Sequence, residues 1–72
     1  MNNNELYIQI SDNIKNEILL SGKTKTEIAK AIGISKPTLS QYLSGRVQPS
    51  LPTFALLCRY LDSSADEILN LK

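Results

Sequence analysis

The side chains best suited to chemistry in this 72-residue chain lie close together, between residues 36 and 44. At about 100° per residue around a helix, one arc of this stretch is short and polar. Its members are Lys36, Pro37, Ser40, Gln41 and Ser44, with Thr38 on the border. Lysine donates hydrogen bonds and carries charge, while glutamine and serine both donate and accept. The pattern therefore predicts a recognition surface that binds by hydrogen bonding and charge.

Catalysis finds little support in the composition. The chain has no histidine, its acidic residues are scattered, and no nucleophile has a base at helical spacing. A single cysteine, Cys58, and the absence of histidine argue against a disulfide framework and a zinc site. Cys58 is expected to be a small core residue. We therefore expect a protein that is not an enzyme and has neither cofactor nor metal.

Two short apolar patterns predict the helices that position the polar arc. They consist of Ile28, Ala29 and Ile32 in a first helix, and Leu39, Tyr42 and Leu43 in a second. Between them, Gly33 can adopt the left-handed backbone that ends a helix. Two helices joined by a tight turn containing glycine form a helix-turn-helix unit, here residues 25–44. Because the polar arc lacks bulky apolar groups, it can enter a major groove, where Gln and Lys reach base edges.

The same stretch matches the pattern of a known family. The matching positions are Ala29, Gly33, Ile34, Ser35, Leu39 and Gly45, followed by Pro49 and Ser50. From about Ile10 to Leu69, the sequence resembles the lambda-repressor-like DNA-binding domains of the Cro/C1 type. The resemblance implies an all-α fold, a compact five-helix bundle whose helices 2 and 3 form the helix-turn-helix. We expect residues 1–72 to be a single domain, with a flexible tail at about residues 1–4.

The function implied by this resemblance is sequence-specific binding of double-stranded DNA by a small transcriptional regulator, expected to be a repressor. The residues expected to contact DNA are Lys25, Thr26, Lys36, Pro37, Thr38, Ser40, Gln41, Ser44 and Arg46. Gln41 is expected to reach a base and Lys36 either a guanine or a phosphate, whereas Lys25 and Arg46 are expected to hold phosphates. Pro37 either contacts a thymine methyl group or only begins the helix, and both interpretations stay open.

The resemblance also implies partners. Such domains act as two-fold homodimers, formed in solution or only on DNA. By resemblance, the dimer surface would include Ile68, Leu69 and Leu71, with Ser63 and Ser64 before them, although these residues could equally cover the core. The alternative function is an antitoxin-like or other protein-interaction module that uses the same fold.

Charge is distributed unevenly behind a formal net charge of +1. Residues 1–22 contain one basic and three acidic residues, a net charge of −2. Residues 23–46 contain five basic residues and one acidic residue, a net charge of +4, and residues 47–72 contain two basic and three acidic residues, a net charge of −1. A phosphate backbone would meet the basic segment, although charge alone equally fits a solvated surface. No apolar run could span a membrane, and the first residues lack the basic start of a signal peptide. We expect a cytoplasmic protein.

Local signals also predict the helix ends. Helix 1 is expected from about Glu5 to Leu20, with Tyr7, Ile10, Ile14 and Ile18 facing the core. Helices 2, 4 and 5 are expected to begin at Thr24, Ser50 and Ser64. For helix 3, Ser35 is the better cap by chemistry, but Lys36 precedes a proline and should avoid helical geometry, so the choice stays open.

One pair of positions departs from the family pattern. Many relatives carry an arginine late in helix 1 and a glutamate near the end of helix 3, which align with Ile18 and Leu43 here. We expect these two side chains to replace an ion pair with an apolar contact.

Overall fold

A computed structural model describes residues 3–71, which form five α-helices and no strand. The helices are α1 (Asn3–Ser21), α2 (Lys25–Ile32), α3 (Lys36–Ser44), α4 (Leu51–Leu61) and α5 (Ala65–Ile68). The predicted all-α fold, with a helix-turn-helix formed by the second and third helices, is confirmed.

The start of α1 differs from the prediction. Residues 1 and 2 of the expected flexible tail lie outside the described residues, but residues 3 and 4 belong to α1. Neither glycine nor proline interrupts the chain here, and each residue added to an existing helix adds a backbone hydrogen bond. The helix therefore extends past the predicted boundary at Glu5.

Side-chain caps begin the four helices after α1. In each case, a Thr or Ser oxygen accepts a hydrogen bond from the backbone N–H three residues later, which satisfies a donor that the helix cannot pair. The caps are Thr24, Ser35, Ser50 and Ser64, paired with Glu27, Thr38, Thr53 and Glu67. The predicted starts of α2, α4 and α5 are confirmed.

The open choice at α3 is resolved in favour of Ser35. Its backbone is extended, with φ −79° and ψ 157°. Lys36 is already helical, and Pro37 is the second residue of α3. The hydrogen bonds of the Ser35 cap offset the tendency of a residue before proline to avoid helical geometry.

Glycines with positive φ end the two helices of the helix-turn-helix. Gly33 has φ 77° and Gly45 has φ 81°. After Gly33, the N–H of Ile34 donates to the carbonyl of Ala29 at 2.9 Å, which closes the turn. At Gly45 a Cβ would lie 3.5 Å from the Ser11 Oγ, so α1 passes close to the end of α3.

A single cluster of apolar side chains joins the helices. Its buried members are Ile14, Ile18, Ile28, Ala29, Ile32, Leu39, Tyr42, Leu43, Phe54, Leu57, Leu61 and Ile68. Cys58 packs against this cluster and is half-buried. Helix α3 packs against α1 and α2, while α1 and α2 both contact α4. The cluster therefore holds α3 by its inner side alone.

The predicted core stripe of α1 is only partly correct. Ile14 and Ile18 are buried and Ile10 is half-buried, but Tyr7 is 41% exposed. Its neighbours Leu6 and Ile8 are exposed as well. The first turns of α1 therefore project beyond the cluster, and the placement of Tyr7 in the core was wrong.

Candidate nucleic-acid interface

Helix α3 divides its side chains between the core and the surface. Leu39, Tyr42 and Leu43 are buried. The exposed side chains are Lys36, Pro37, Ser40, Gln41 and Ser44. The predicted partition between an apolar inner arc and a polar outer arc is confirmed.

Thr38 lies between the two arcs, because its hydroxyl belongs to the cap of α3. Its Oγ1 is 2.8 Å from the Ser35 Oγ, and its backbone N–H donates to the same oxygen at 3.2 Å. The side chain is half-buried. Thr38 therefore helps to fix the start of α3, and only part of its side chain faces outward.

The carbonyl of Gln41 organises the other end of α3. It accepts hydrogen bonds from the backbone N–H groups of Arg46 at 3.2 Å and Val47 at 3.4 Å. The Ser44 hydroxyl donates to the same carbonyl at 3.0 Å. These bonds tie the loop that carries Arg46 to the last turn of α3, so the exposed Arg46 extends the polar surface of the helix.

Lys25 and Thr26 form the first turn of α2 and are exposed. The N-terminal end of a helix carries partial positive charge and backbone N–H groups that favour phosphate. A cation in the first turn adds to that preference. Lys25 and Thr26, which are predicted to contact the phosphate backbone of DNA, thus lie where an anion is favoured.

Lys23 does not belong to this exposed basic surface. Its Nζ donates to the backbone carbonyl of Tyr60 at 2.9 Å and lies 4.2 Å from the centre of the Tyr60 ring. The sequence offers no local signal for this contact, because 37 positions separate the two residues. Lys23 is therefore a structural residue.

Residues 3–71 contain no grouping of three or more His, Cys, Asp or Glu side chains that could hold a metal ion. Within the same part of the chain, no helix combines the length and apolar character required to cross a membrane.

The fold and the outward arc of α3 define a helix-turn-helix protein, a class in which the second helix recognises DNA. Comparison with family models gives a match to the helix-turn-helix family of Cro/C1 type over residues 14–68, more than half of the chain. The chain belongs to this family, whose members are DNA-binding regulators. A search of curated proteins found no match.

Proposed function

We propose that this chain is a sequence-specific double-stranded DNA-binding transcriptional regulator, acting as a repressor, that inserts α3 into the major groove. The observation that carries the proposal is the exposed polar arc of Lys36, Ser40 and Gln41, which no other helix covers in the described part of the chain. The buried side of α3 fixes the orientation of this arc.

Base recognition is assigned to the outward side chains of α3. The amide of Gln41 can form two hydrogen bonds with adenine, and Lys36 can donate to the acceptors of guanine. Pro37 has no N–H, so its contribution to specificity would be an apolar contact with a thymine methyl group. Ser40 is small enough to allow close approach of the duplex.

Contacts with the phosphate backbone of DNA are assigned to the residues that flank α3. Lys25 and Thr26 would meet phosphates at the start of α2, while Arg46 and Ser44 would do so after α3. Contacts of this kind position the protein on the duplex without reading its sequence. Thr38 would orient α3 through the Ser35 cap and touch DNA only with its exposed part.

A homodimer is part of the proposal, and α4 and α5 offer the surface for it. Ile68 was expected there, but it is 1% exposed and belongs to the core, because α5 packs on α1. A groove of about 590 Å³ includes Ser63 and Leu69 from the expected region. Its lining also contains Leu51, Phe54, Cys58, Arg59 and Asp62.

Two features of the groove favour a second copy of this chain as its occupant. Under two-fold symmetry, Arg59 of one copy can meet Asp62 of the other. Leu51 is 82% exposed and can enter the groove of the opposite copy. Two α3 helices would then read half-sites about 34 Å apart.

Analytical ultracentrifugation of Leu51→Glu tests the dimer. An acidic residue in the first turn of α4 suits the helix dipole, so the variant should fold while its association weakens. Leu20→Glu is the matched control, since Leu20 is 81% exposed and lies outside the groove. Equal association of the two variants would contradict the interface.

DNA binding is tested by selecting sites from randomised duplexes and titrating the selected duplex. We expect Gln41→Ala to lose about 1–3 kcal/mol of discrimination at one base pair. Lys36→Ala should weaken binding as well. The control is Lys30→Ala, an exposed lysine of α2 outside the proposed set. Failure to select any site would contradict sequence-specific binding.

The same variants separate DNA binding from the protein-interaction alternative. If Lys36→Ala with Gln41→Ala leaves DNA affinity unchanged but abolishes binding of a protein partner, the arc serves that partner. We propose no catalytic role, and we expect the protein to work in the cytoplasm with the DNA that it binds.

A further inference from the structure

An open depression lies where α1, α2 and α3 meet, and it borders the proposed DNA-binding surface at Lys25. Its volume is about 210 Å³. The lining consists of Lys15, Ile18, Leu19, Lys25 and Leu43. A lysine from α1 and a lysine from α2 therefore share a concave surface that is otherwise apolar.

The apolar residues of this depression differ in exposure. Ile18 and Leu43 are buried and form its floor, whereas Leu19 is 78% exposed and forms part of its rim. An exposed leucine beside two cations gives a surface suited to a ligand with both apolar and anionic parts.

We infer that Lys15 binds the phosphate backbone of DNA beside Lys25, and that the apolar surface between α1 and α3 accommodates a deoxyribose. The inference rests on the function proposed above and extends its contact surface to α1. A DNA strand alternates anionic phosphates with sugars that present C–H groups. Each strand carries one phosphate per about 3.4 Å of helix axis, so lysines on two neighbouring helices can meet different phosphates of one strand.

Asp12 forms an ion pair with Lys15. Its carboxylate lies 3.6 Å from the Lys15 ammonium, with relative exposures of 49% for Lys15 and 61% for Asp12. An exposed ion pair of this kind is weak and is screened by salt. A phosphate can therefore replace Asp12 as the partner of Lys15.

The salt dependence of DNA affinity tests this inference. The probe is a fluorescein-labelled duplex of mixed sequence, because phosphate contacts do not depend on sequence. Each phosphate contact contributes about −0.9 to the slope of log K against log salt concentration. We expect Lys15→Gln to reduce the magnitude of the slope by about that amount and Lys30→Gln to leave it unchanged.

The outcomes distinguish this inference from the function on which it rests. If wild-type binding depends on salt but Lys15→Gln and Lys30→Gln have equal slopes, the role of Lys15 is overturned and the proposed function stands. If wild-type protein shows no salt-dependent binding, the proposed function itself is overturned. Equal melting temperatures of the two variants would establish that both remain folded.

Two additional variants test the surroundings of Lys15. Asp12→Asn frees the lysine from its carboxylate and should strengthen binding at low salt. Leu19→Glu places a carboxylate at the rim and should weaken binding, with little cost in stability because Leu19 is exposed. Unchanged affinity in both variants would overturn the inference.

Discussion

The ammonium group of Lys23 lies against the C-terminal end of α4, where it donates to the Tyr60 carbonyl at 2.9 Å and lies 4.2 Å from the Tyr60 ring centre. Carbonyl groups in the last turn of a helix lack partners within that helix. A cation at this end also interacts favourably with the helix dipole. One side chain thus connects the loop before α2 to the end of α4.

Lys23→Met is expected to destabilise the fold, because it keeps the aliphatic stem but removes the charge. A hydrogen bond from a charged donor and a partly exposed cation–π contact together contribute about 2–4 kcal/mol. Urea unfolding followed by circular dichroism measures the change. Lys30→Met is the control, since Lys30 is exposed, and equal midpoints for both variants would contradict the stabilising role.

Ser35→Ala is expected to lose about 1 kcal/mol of stability, because it removes the oxygen that caps α3. The backbone N–H of Thr38 then loses its partner. Ser40→Ala is a matched control on the exposed arc and should stay within about 0.5 kcal/mol of wild type. Both values come from urea unfolding, and an equally small effect at Ser35 would argue that the cap is dispensable.

Ser11→Ala is expected to be neutral or stabilising. Ser11 is 2% exposed, and its Oγ has no hydrogen-bond partner among residues 3–71. A buried hydroxyl without a partner retains its desolvation penalty, about 1–3 kcal/mol. Thermal unfolding measures the effect. A clear loss of stability would mean that the hydroxyl has a partner. Ser11→Cys would then help to separate the effect of side-chain volume on stability from the effect of the polar hydroxyl.

The thiol of Cys58 is expected to react with iodoacetamide at higher pH than an unperturbed cysteine does. Burial raises its pKa, and the nearby Glu17 carboxylate raises it further, since both disfavour the thiolate. The pH profile of alkylation should therefore lie at higher pH for folded protein than for protein in urea.

Glu17→Gln provides the control for the electrostatic part of this effect. It should move the profile of the folded protein towards lower pH and leave the profile in urea unchanged. Coincident profiles for the folded and unfolded wild-type protein would refute the raised pKa.

The structure agrees in part with the expectation that Ile18 and Leu43 replace an ion pair with an apolar contact between α1 and α3. Ile18 and Leu43 are both buried in the same cluster and line the same depression. Their direct side-chain contact stays a prediction. Coupling between Ile18→Ala and Leu43→Ala in a double-mutant cycle would test it.

The local structure of this protein was predictable from its sequence, because it depends on neighbours a few positions apart. The Thr24 cap, the Gly33 turn and the separation of Leu39 from Gln41 all follow from the helical period and short-range hydrogen bonds. The family pattern, with its polar arc on the second helix of the helix-turn-helix, was likewise predictable from the sequence alone.

The tertiary structure decided which surfaces meet. It buried Ile68, left Tyr7 exposed, removed Lys23 from the basic surface and placed Lys15 and Lys25 on the lining of one depression. Helical spacing assigns a residue to a side of its own helix, but it carries no information about whether another helix covers that side. Packing between distant segments therefore determined how far the core and the charged surface extend.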